Sequence, residues 1–320
     1  MNLPTTQTTT ATTTKATLKP ILKNVTIVLR PKNSETISAI VVTLTEWLLE
    51  RNSVPQFLLR EKSRIHQIFL RDNKDHLLNK ILFISERDKY RSSDLIITLG
   101  GDGTLINICR KAPLNSPPIF GVNLGRLGFL TEFSTDNIFK NLNIVFQGES
   151  KFFSINLYLI RVYNEKKELK SKELFINDAV FTREHISRMF TLSLESSKQH
   201  IYNLFGDGLI ISSPIGSTAY SLSAGGPITH PKVKAFILTP ICPHGLTYRS
   251  MVISDKNRLT IHPTSDAKNV ILTLDGQSVI PIQTGDTIVI RKHKNKFVKL
   301  IKNPTRNYYN TLKEKFFHGR

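Results

Sequence analysis

The feature that most constrains this chain is one turn, Gly100-Gly101-Asp102-Gly103-Thr104, set directly behind the apolar run Leu95-Ile96-Ile97-Thr98-Leu99. The run is short, continuous and rich in branched residues, and glycines close it, which predicts a buried strand. Leu105 to Arg110 predicts a helix, with Thr104 as a first-turn or capping residue. A glycine-rich turn between strand and helix brings backbone N–H groups close to a phosphate, and the positive end of the helix favours the anion. Asp102 at its centre would repel phosphate unless it holds a metal or takes a proton from a substrate hydroxyl. The combination points to phosphoryl transfer, with Gly100, Gly101, Gly103 and Thr104 as the loop facing the phosphate donor.

Alternation continues on both sides of this unit. Val25 to Leu29 predicts a strand, Thr36 to Glu50 a helix (Ile37, Ile40, Val41, Leu44, Trp47 and Leu48 at helical spacing), and Pro118 to Asn123 another buried strand. Strands alternating with helices imply a doubly wound parallel sheet, whose ligands gather at the carboxyl ends of the strands. From about Phe152 the texture turns to β: Phe153–Tyr163, Glu173–Phe181, Met189–Leu194, Gly208–Ser212, Arg258–His262, Val270–Leu274 and Thr287–Arg291. The expected fold is therefore α/β plus β, an N-terminal doubly wound parallel α/β domain over 24–135 and a β-rich, sandwich-like domain over 136–303. The tail 304–320 is expected to return to the first domain. Residues 1–23 are threonine-rich with no acidic residue, which predicts a disordered leader; a transit peptide is the alternative, although arginine is absent there.

Composition narrows the function classes. Only Cys109 and Cys242 occur, without metal-ligand spacing, which argues against a disulfide framework or a zinc site and fits a reducing compartment. No apolar run approaches the roughly 20 residues that span a bilayer. A net charge of +19 invites a nucleic-acid partner, but the basic residues are scattered and no nucleic-acid-binding motif accompanies them. The expectation is no nucleic-acid and no membrane partner, with some attraction for anionic nucleotides.

Two further elements carry chemistry. Gly121-Val122-Asn123-Leu124-Gly125-Arg126-Leu127-Gly128-Phe129-Leu130 is a second glycine-rich turn behind a strand. Gly206 to Pro227 is longer, and packs hydroxyl residues, Tyr220 and small residues between glycines. A structural turn does not need so many donors and acceptors; ribose and phosphate oxygens and an aromatic ring would use them.

From about Asp94 to Asn303 these elements resemble the NAD kinase family. Gly100 to Thr104 is similar to its glycine–aspartate turn, shared with lipid kinases and distantly with phosphofructokinases. Thr218 to Gly226 is the more specific run. The resemblance implies ATP-dependent phosphorylation of the adenosine 2′-hydroxyl of NAD to give NADP, with Asp102 as general base and Mg²⁺ accompanying the ATP. It implies that Gly103 approaches the dinucleotide and that Phe129 packs near the adenine. Asn177 and Asp178 would serve the second ribose or ring, and Asp207 the nicotinamide side. Thr218, Ala219, Tyr220, Ser221, Leu222 and Ser223 form the nucleotide-contacting run, with Arg188, His244 and Gln277 as further contacts. It also implies a homodimer or homotetramer and a cytoplasmic location, or the mitochondrial matrix if the leader is a transit peptide. Four departures stand out. Asp178 replaces a common glutamate and Ile215 a usual threonine, Phe205 stands where a basic residue is frequent, and Ser250 where proline is frequent. A lipid kinase and a non-catalytic dinucleotide sensor are the alternatives.

Overall fold

The computed structural model describes residues 22–32, 34–125, 128–184, 189–264 and 269–316. The first elements in chain order are β1 (Asn24–Leu29), α1 (Glu35–Leu49), β2 (Val54–Leu58), α2 (Lys62–Arg71), β3 (Leu82–Ile84), β4 (Leu95–Gly100), α3 (Asp102–Lys111), β5 (Ile119–Asn123), β6 (Phe133–Ser134) and α4 (Ile138–Phe146). Their strands pair in parallel in the order β3-β2-β1-β4-β5-β6. The order reverses between β1 and β4, and the glycine–aspartate turn leaves β4 at that switch, where open α/β sheets bind ligands. Every residue of β4 is buried, because the sheet is covered on both faces. Apolar residues of α1, α2 and α4 pack on one face. The other face meets α3 (Leu105, Ile106, Ile108, Cys109) together with Ile155, Leu157, Ile176, Val298 and Leu300 from the second half of the chain. That shared core fixes the two halves against each other.

The second half comprises β7 (Lys151–Tyr163), β8 (Leu169–Phe175), β9 (Asp178–Arg183), β10 (Phe190–Ser196), β11 (Gln199–Ser212), α5 (Tyr220–Ser223), β12 (Ala235–Pro243), β13 (Met251–Ser254), β14 (Leu259–Pro263), β15 (Val270–Leu274), β16 (Ser278–Ile282), β17 (Thr287–Lys302) and α6 (Tyr308–Phe316). One antiparallel layer runs β8-β7-β17-β14-β10-β11. The other runs β13-β12-β11-β9-β15-β16. Alternate residues of both layers fill one core, including Tyr158, Phe175, Phe181, Phe190 and Phe236, as a sandwich requires. Long β11 belongs to both layers and changes partners at Gly206-Asp207-Gly208. A Cβ on Gly208 would lie 2.2 Å from the Phe181 carbonyl oxygen, so only glycine permits that crossing.

Three local expectations are narrowed or corrected. Of the two roles expected for Thr104, it takes the first-turn one: Gly101 is the N-cap of α3, without a side-chain bond, and Thr104 is the third residue of the helix. Glu173–Phe181 is not one strand, because the chain breaks at Ile176-Asn177, whose N–H groups turn to a side chain described below. The run Thr287–Arg291 extends to Lys302 as the long partner of β7, carrying its lysines on a solvent face with a bulge between Lys292 and Phe297. Residues 1–21 of the expected leader lie outside the described residues.

Candidate functional site

Asp102 is the first residue of α3, half-buried, and its carboxylate is held from the second glycine-rich turn. Oδ2 accepts the Phe129 N–H at 2.8 Å. Oδ1 accepts the N–H groups of Leu130 (3.2 Å) and Thr131 (2.8 Å) and the Thr131 hydroxyl (2.8 Å). A Cβ on Gly128 would fall 2.1 Å from Oδ1, so this glycine is what lets the loop close on the carboxylate. The donors come from the neighbouring turn, not from Asp102's own. Four bonds fix the group's orientation and leave Oδ2 the oxygen with acceptor capacity to spare. Beside it, Gly101 and Gly103 have open space where a side chain would be, and the first N–H groups of the helix have no intrahelical acceptor.

A second carboxylate cradle faces the helix from the sandwich. Asp275 lies in the hairpin turn between β15 and β16, with φ +50 followed by +63 at Gly276. Its fully buried carboxylate accepts the N–H groups of Ile176 (3.0 Å), Asn177 (2.7 Å) and Asp178 (3.1 Å). Burial pushes its acidity down, raising the pKa against those bonds and against Arg110. Arg110, on the last turn of α3, lies 3.5 Å from Asp275 and bonds the Leu174 carbonyl, Glu173 and the Ser278 hydroxyl at 2.9, 3.1 and 2.9 Å. Gln277 donates to the Gly103 carbonyl at 2.9 Å. Helix α3 is therefore tied to the sandwich at both ends.

Asn177 and Asp178 come next, at the start of β9. They border a cavity of about 420 Å³ with Ala219, Tyr220, Thr273, Asp275 and Gly276. Asn177 Oδ1 is buried without a hydrogen-bond partner, an acceptor still to be satisfied. Asp178 is buried, and desolvation together with the neighbouring Asp275 charge raises its pKa to about 7. A second cavity, about 620 Å³, is lined by Phe129, Leu130, Ile215, Thr218 and the C-terminal tail. Thr218 faces one cavity while Ala219 and Tyr220 face the other, so the two flank one short run. Tyr220 is 46% exposed and is no core tyrosine.

The remaining expected residues separate. Ser221 is fully buried and its hydroxyl pairs with that of Thr239 at 2.8 Å, which turns it to the core rather than to a ligand. Leu222 is half-buried and Ser223 exposed on the same short helix. Asp207 is exposed on β11 and His244 just past the end of β12, where its ring lies 5.5 Å from that of Phe205. Asp178 pairs with Ser212, five residues and about 17 Å along β11 from Asp207. Arg188 lies outside the described residues. Sequence reasoning missed Asp275 and Arg110, although Asp275-Gly276 between two alternating runs is a strong hairpin signal.

No group of three or more His, Cys, Asp or Glu side chains is placed to hold a metal ion among the described residues, and no helix among them is long and apolar enough to cross a membrane.

Comparison with known proteins agrees with this architecture. The ATP-NAD kinase N-terminal domain matches residues 25–150 and the ATP-NAD kinase C-terminal domain residues 176–303. The NAD kinase of Magnetococcus marinus is 41% identical over 222 residues, covering 69% of this chain and 73% of that protein. The NAD kinase of Solibacter usitatus is 35% identical over 299 residues, covering 93% and 99%. Among solved structures, yeast NADH kinase complexed with NADH superposes with a TM-score of 0.80 at 25% identity, covering 93% of this chain and 88% of that one. An NAD kinase from Archaeoglobus fulgidus in complex with ATP shares the fold, with a TM-score of 0.66 at 24% identity over 90% and 97%. With both domain matches in order and a full-length relative at 35% identity, this chain belongs to the ATP-NAD kinase family.

Proposed function

We propose that the chain transfers the terminal phosphoryl group of ATP to the adenosine 2′-hydroxyl of NAD, giving NADP and ADP. The observation that carries this reading is the Asp102 carboxylate, locked by four hydrogen bonds at the mouth of a helix whose glycines leave room for a substrate. A ribose hydroxyl is a weak nucleophile. In this reading Asp102 Oδ2 accepts its hydrogen bond and takes the proton as the new O–P bond forms and the bond to ADP breaks. Such transition states are loose, so positioning supplies most of the acceleration. The open glycines 101 and 103 admit the phosphates, and α3 favours their charge.

The dinucleotide would lie along the two cavities that flank the Thr218–Tyr220 run, with Phe129 toward the adenine and Asn177 Oδ1 meeting a ligand donor. Asp178, ionised above about pH 7, would accept from a ribose hydroxyl. Mg²⁺ fits as the counter-ion of the donor phosphates: it keeps several waters, and the described residues offer no cage of their own. Bound there, it supplies charge neutralisation to the departing phosphates.

A division into an α/β and a β-rich domain, a homodimer or homotetramer, and a cytoplasmic location complete the proposal. Self-association is supported by an apolar edge around β13, where Leu246 is 90% and Val252 52% exposed. The deciding experiment incubates pure protein with NAD, ATP and Mg²⁺ and measures NADP by an NADP-specific dehydrogenase. NADP production is expected. No product with NAD still bound would establish a sensor instead, and phosphorylation of diacylglycerol in a parallel reaction that offers it in place of NAD would establish a lipid kinase.

A further inference from the structure

The C-terminal domain match ends at residue 303, yet the chain continues, and the segment 304–316 enters the site. Arg306 donates to the carbonyls of Gly128 (2.7 Å) and Thr131 (2.9 Å), the two ends of the loop whose N–H groups hold Asp102. Phe316 brings its ring to 5.8 Å from Phe129 in the same loop. On the other side, Tyr308 donates to the Thr229 carbonyl at 3.4 Å and meets the His230 ring edge-on at 4.9 Å, with Tyr309 5.8 Å away. The segment thus bridges the Asp102 loop and the loop directly after the Thr218–Gly226 run.

Between those anchors lies the 620 Å³ cavity. Its wall combines the rings of Tyr308, Tyr309 and His230 with the cations Lys151, Lys232, Lys302 and Arg306, against the single carboxylate of Glu132. Aromatic faces beside several ammonium groups suit a ligand that is a flat heteroaromatic ring at one end and phosphate at the other. The two guanidinium arms of Arg306 are already spent on backbone carbonyls, so its work is to set the loop.

We propose that the segment Thr305–Phe316 completes the adenine-nucleotide cleft, Tyr308 and Tyr309 forming the wall for the purine ring and Arg306 acting as a positioning residue for the loop that orients Asp102. This rests on the reading of the chain as a kinase that uses NAD and ATP. Both substrates carry adenine, and the test distinguishes them.

The experiment compares the full-length wild type with Tyr308→Ala/Tyr309→Ala, the single variant Tyr309→Ala, Arg306→Ala and Arg306→Lys, measuring kcat, KM for NAD, KM for ATP and thermal melting. Loss of the rings should raise one KM roughly tenfold, as loss of a base-stacking face does, with melting preserved. A rise for NAD assigns the wall to the dinucleotide, and a rise for ATP assigns it to the donor. Tyr309 is 65% exposed, so its single variant folds even if the double one does not. Arg306→Ala should lower kcat more than it raises either KM, and Arg306→Lys should recover only part of it, since one ammonium does not span both carbonyls. A folded tyrosine variant with both KM values within about twofold of wild type, below the stacking contribution, overturns the inference. If the wild type itself makes no NADP, the functional reading has failed, and calorimetric titration of the same variants with ATP and NAD still decides the role of the segment.

Discussion

Asp102 and Asp275 each sit in a row of three consecutive backbone N–H groups donated by a distant segment, 129–131 for one and 176–178 for the other. The two cradles differ in what surrounds them. Asp275 has no exposed side-chain surface and lies beside a guanidinium, so its capacity is absorbed within the protein. Asp102 is half-buried, lies near open glycines and keeps an acceptor position on Oδ2. One device therefore serves two ends: closed, it organises a strand break; open, it presents a carboxylate of fixed direction. Accessibility, rather than the bonding pattern, separates the aspartate enclosed by the protein from the one left partly open.

The strongest break in that comparison is Asp102→Asn. Turnover should fall by roughly 10²–10⁴, the usual worth of a positioned proton acceptor. The change is not silent in structure either. An amide has one acceptor oxygen, so its NH₂ group must face the Phe129 N–H, at a cost of about 1–2 kcal/mol visible in urea unfolding. Near-normal turnover in the Asn variant would place the proton acceptor elsewhere.

Asp275→Ala tests the closed cradle. It strands three N–H groups and leaves the buried Arg110 with Glu173 as its one remaining carboxylate, so stability should drop by about 3 kcal/mol, with KM for NAD rising because Asn177 and Asp178 lose their backbone anchor. If the melting temperature is unmoved while kcat collapses, Asp275 and not Asp102 is the reactive member.

The mildest test is the pH response of Asp178, whose pKa is raised to about 7 from an ordinary 3.8 by burial and by Asp275. The folded state holds this proton more tightly than the unfolded chain. Its contribution to stability is therefore full below about pH 4 and is lost as pH rises through about 7. Melting temperature should decline from pH 5 to 8, and Asp178→Asn should flatten that decline. KM for NAD should move the opposite way in the wild type, falling as the carboxylate ionises. A pH-independent KM would remove Asp178 from ribose binding.

Much of this was legible in the sequence because the informative residues are local. The buried run 95–99 behind which Gly100 to Thr104 turns announces a strand, a turn and a helix within sixteen residues. Hydroxyl density between glycines announces the Thr218–Tyr220 run. What stayed hidden is long-range. The partners of Asp102 lie 27 to 29 positions away, and those of Asp275 nearly a hundred. Ser221 looks like its neighbours until Thr239 claims its hydroxyl. Strands β12, β13 and β16 carry weak alternation of their own and are set by their neighbours in the sandwich. Asp207 and His244 share an exposed edge remote from Asp178, a separation that spacing along the chain does not reveal.

Helix α3 carries one further consequence. Asp102 begins it, Arg110 lies in its last turn eight residues later, and the helical rise spaces them by about 12 Å. Because each end is bonded into a different neighbourhood, the helix acts as a gauge block between the Asp102 carboxylate and the Asp275 cradle. A residue added inside it would swing Arg110 by about 100° off its partners while leaving the glycine turn untouched. The length of this helix is thereby fixed as firmly as its buried face, so a change in the size of the cleft has to be accommodated in the loops.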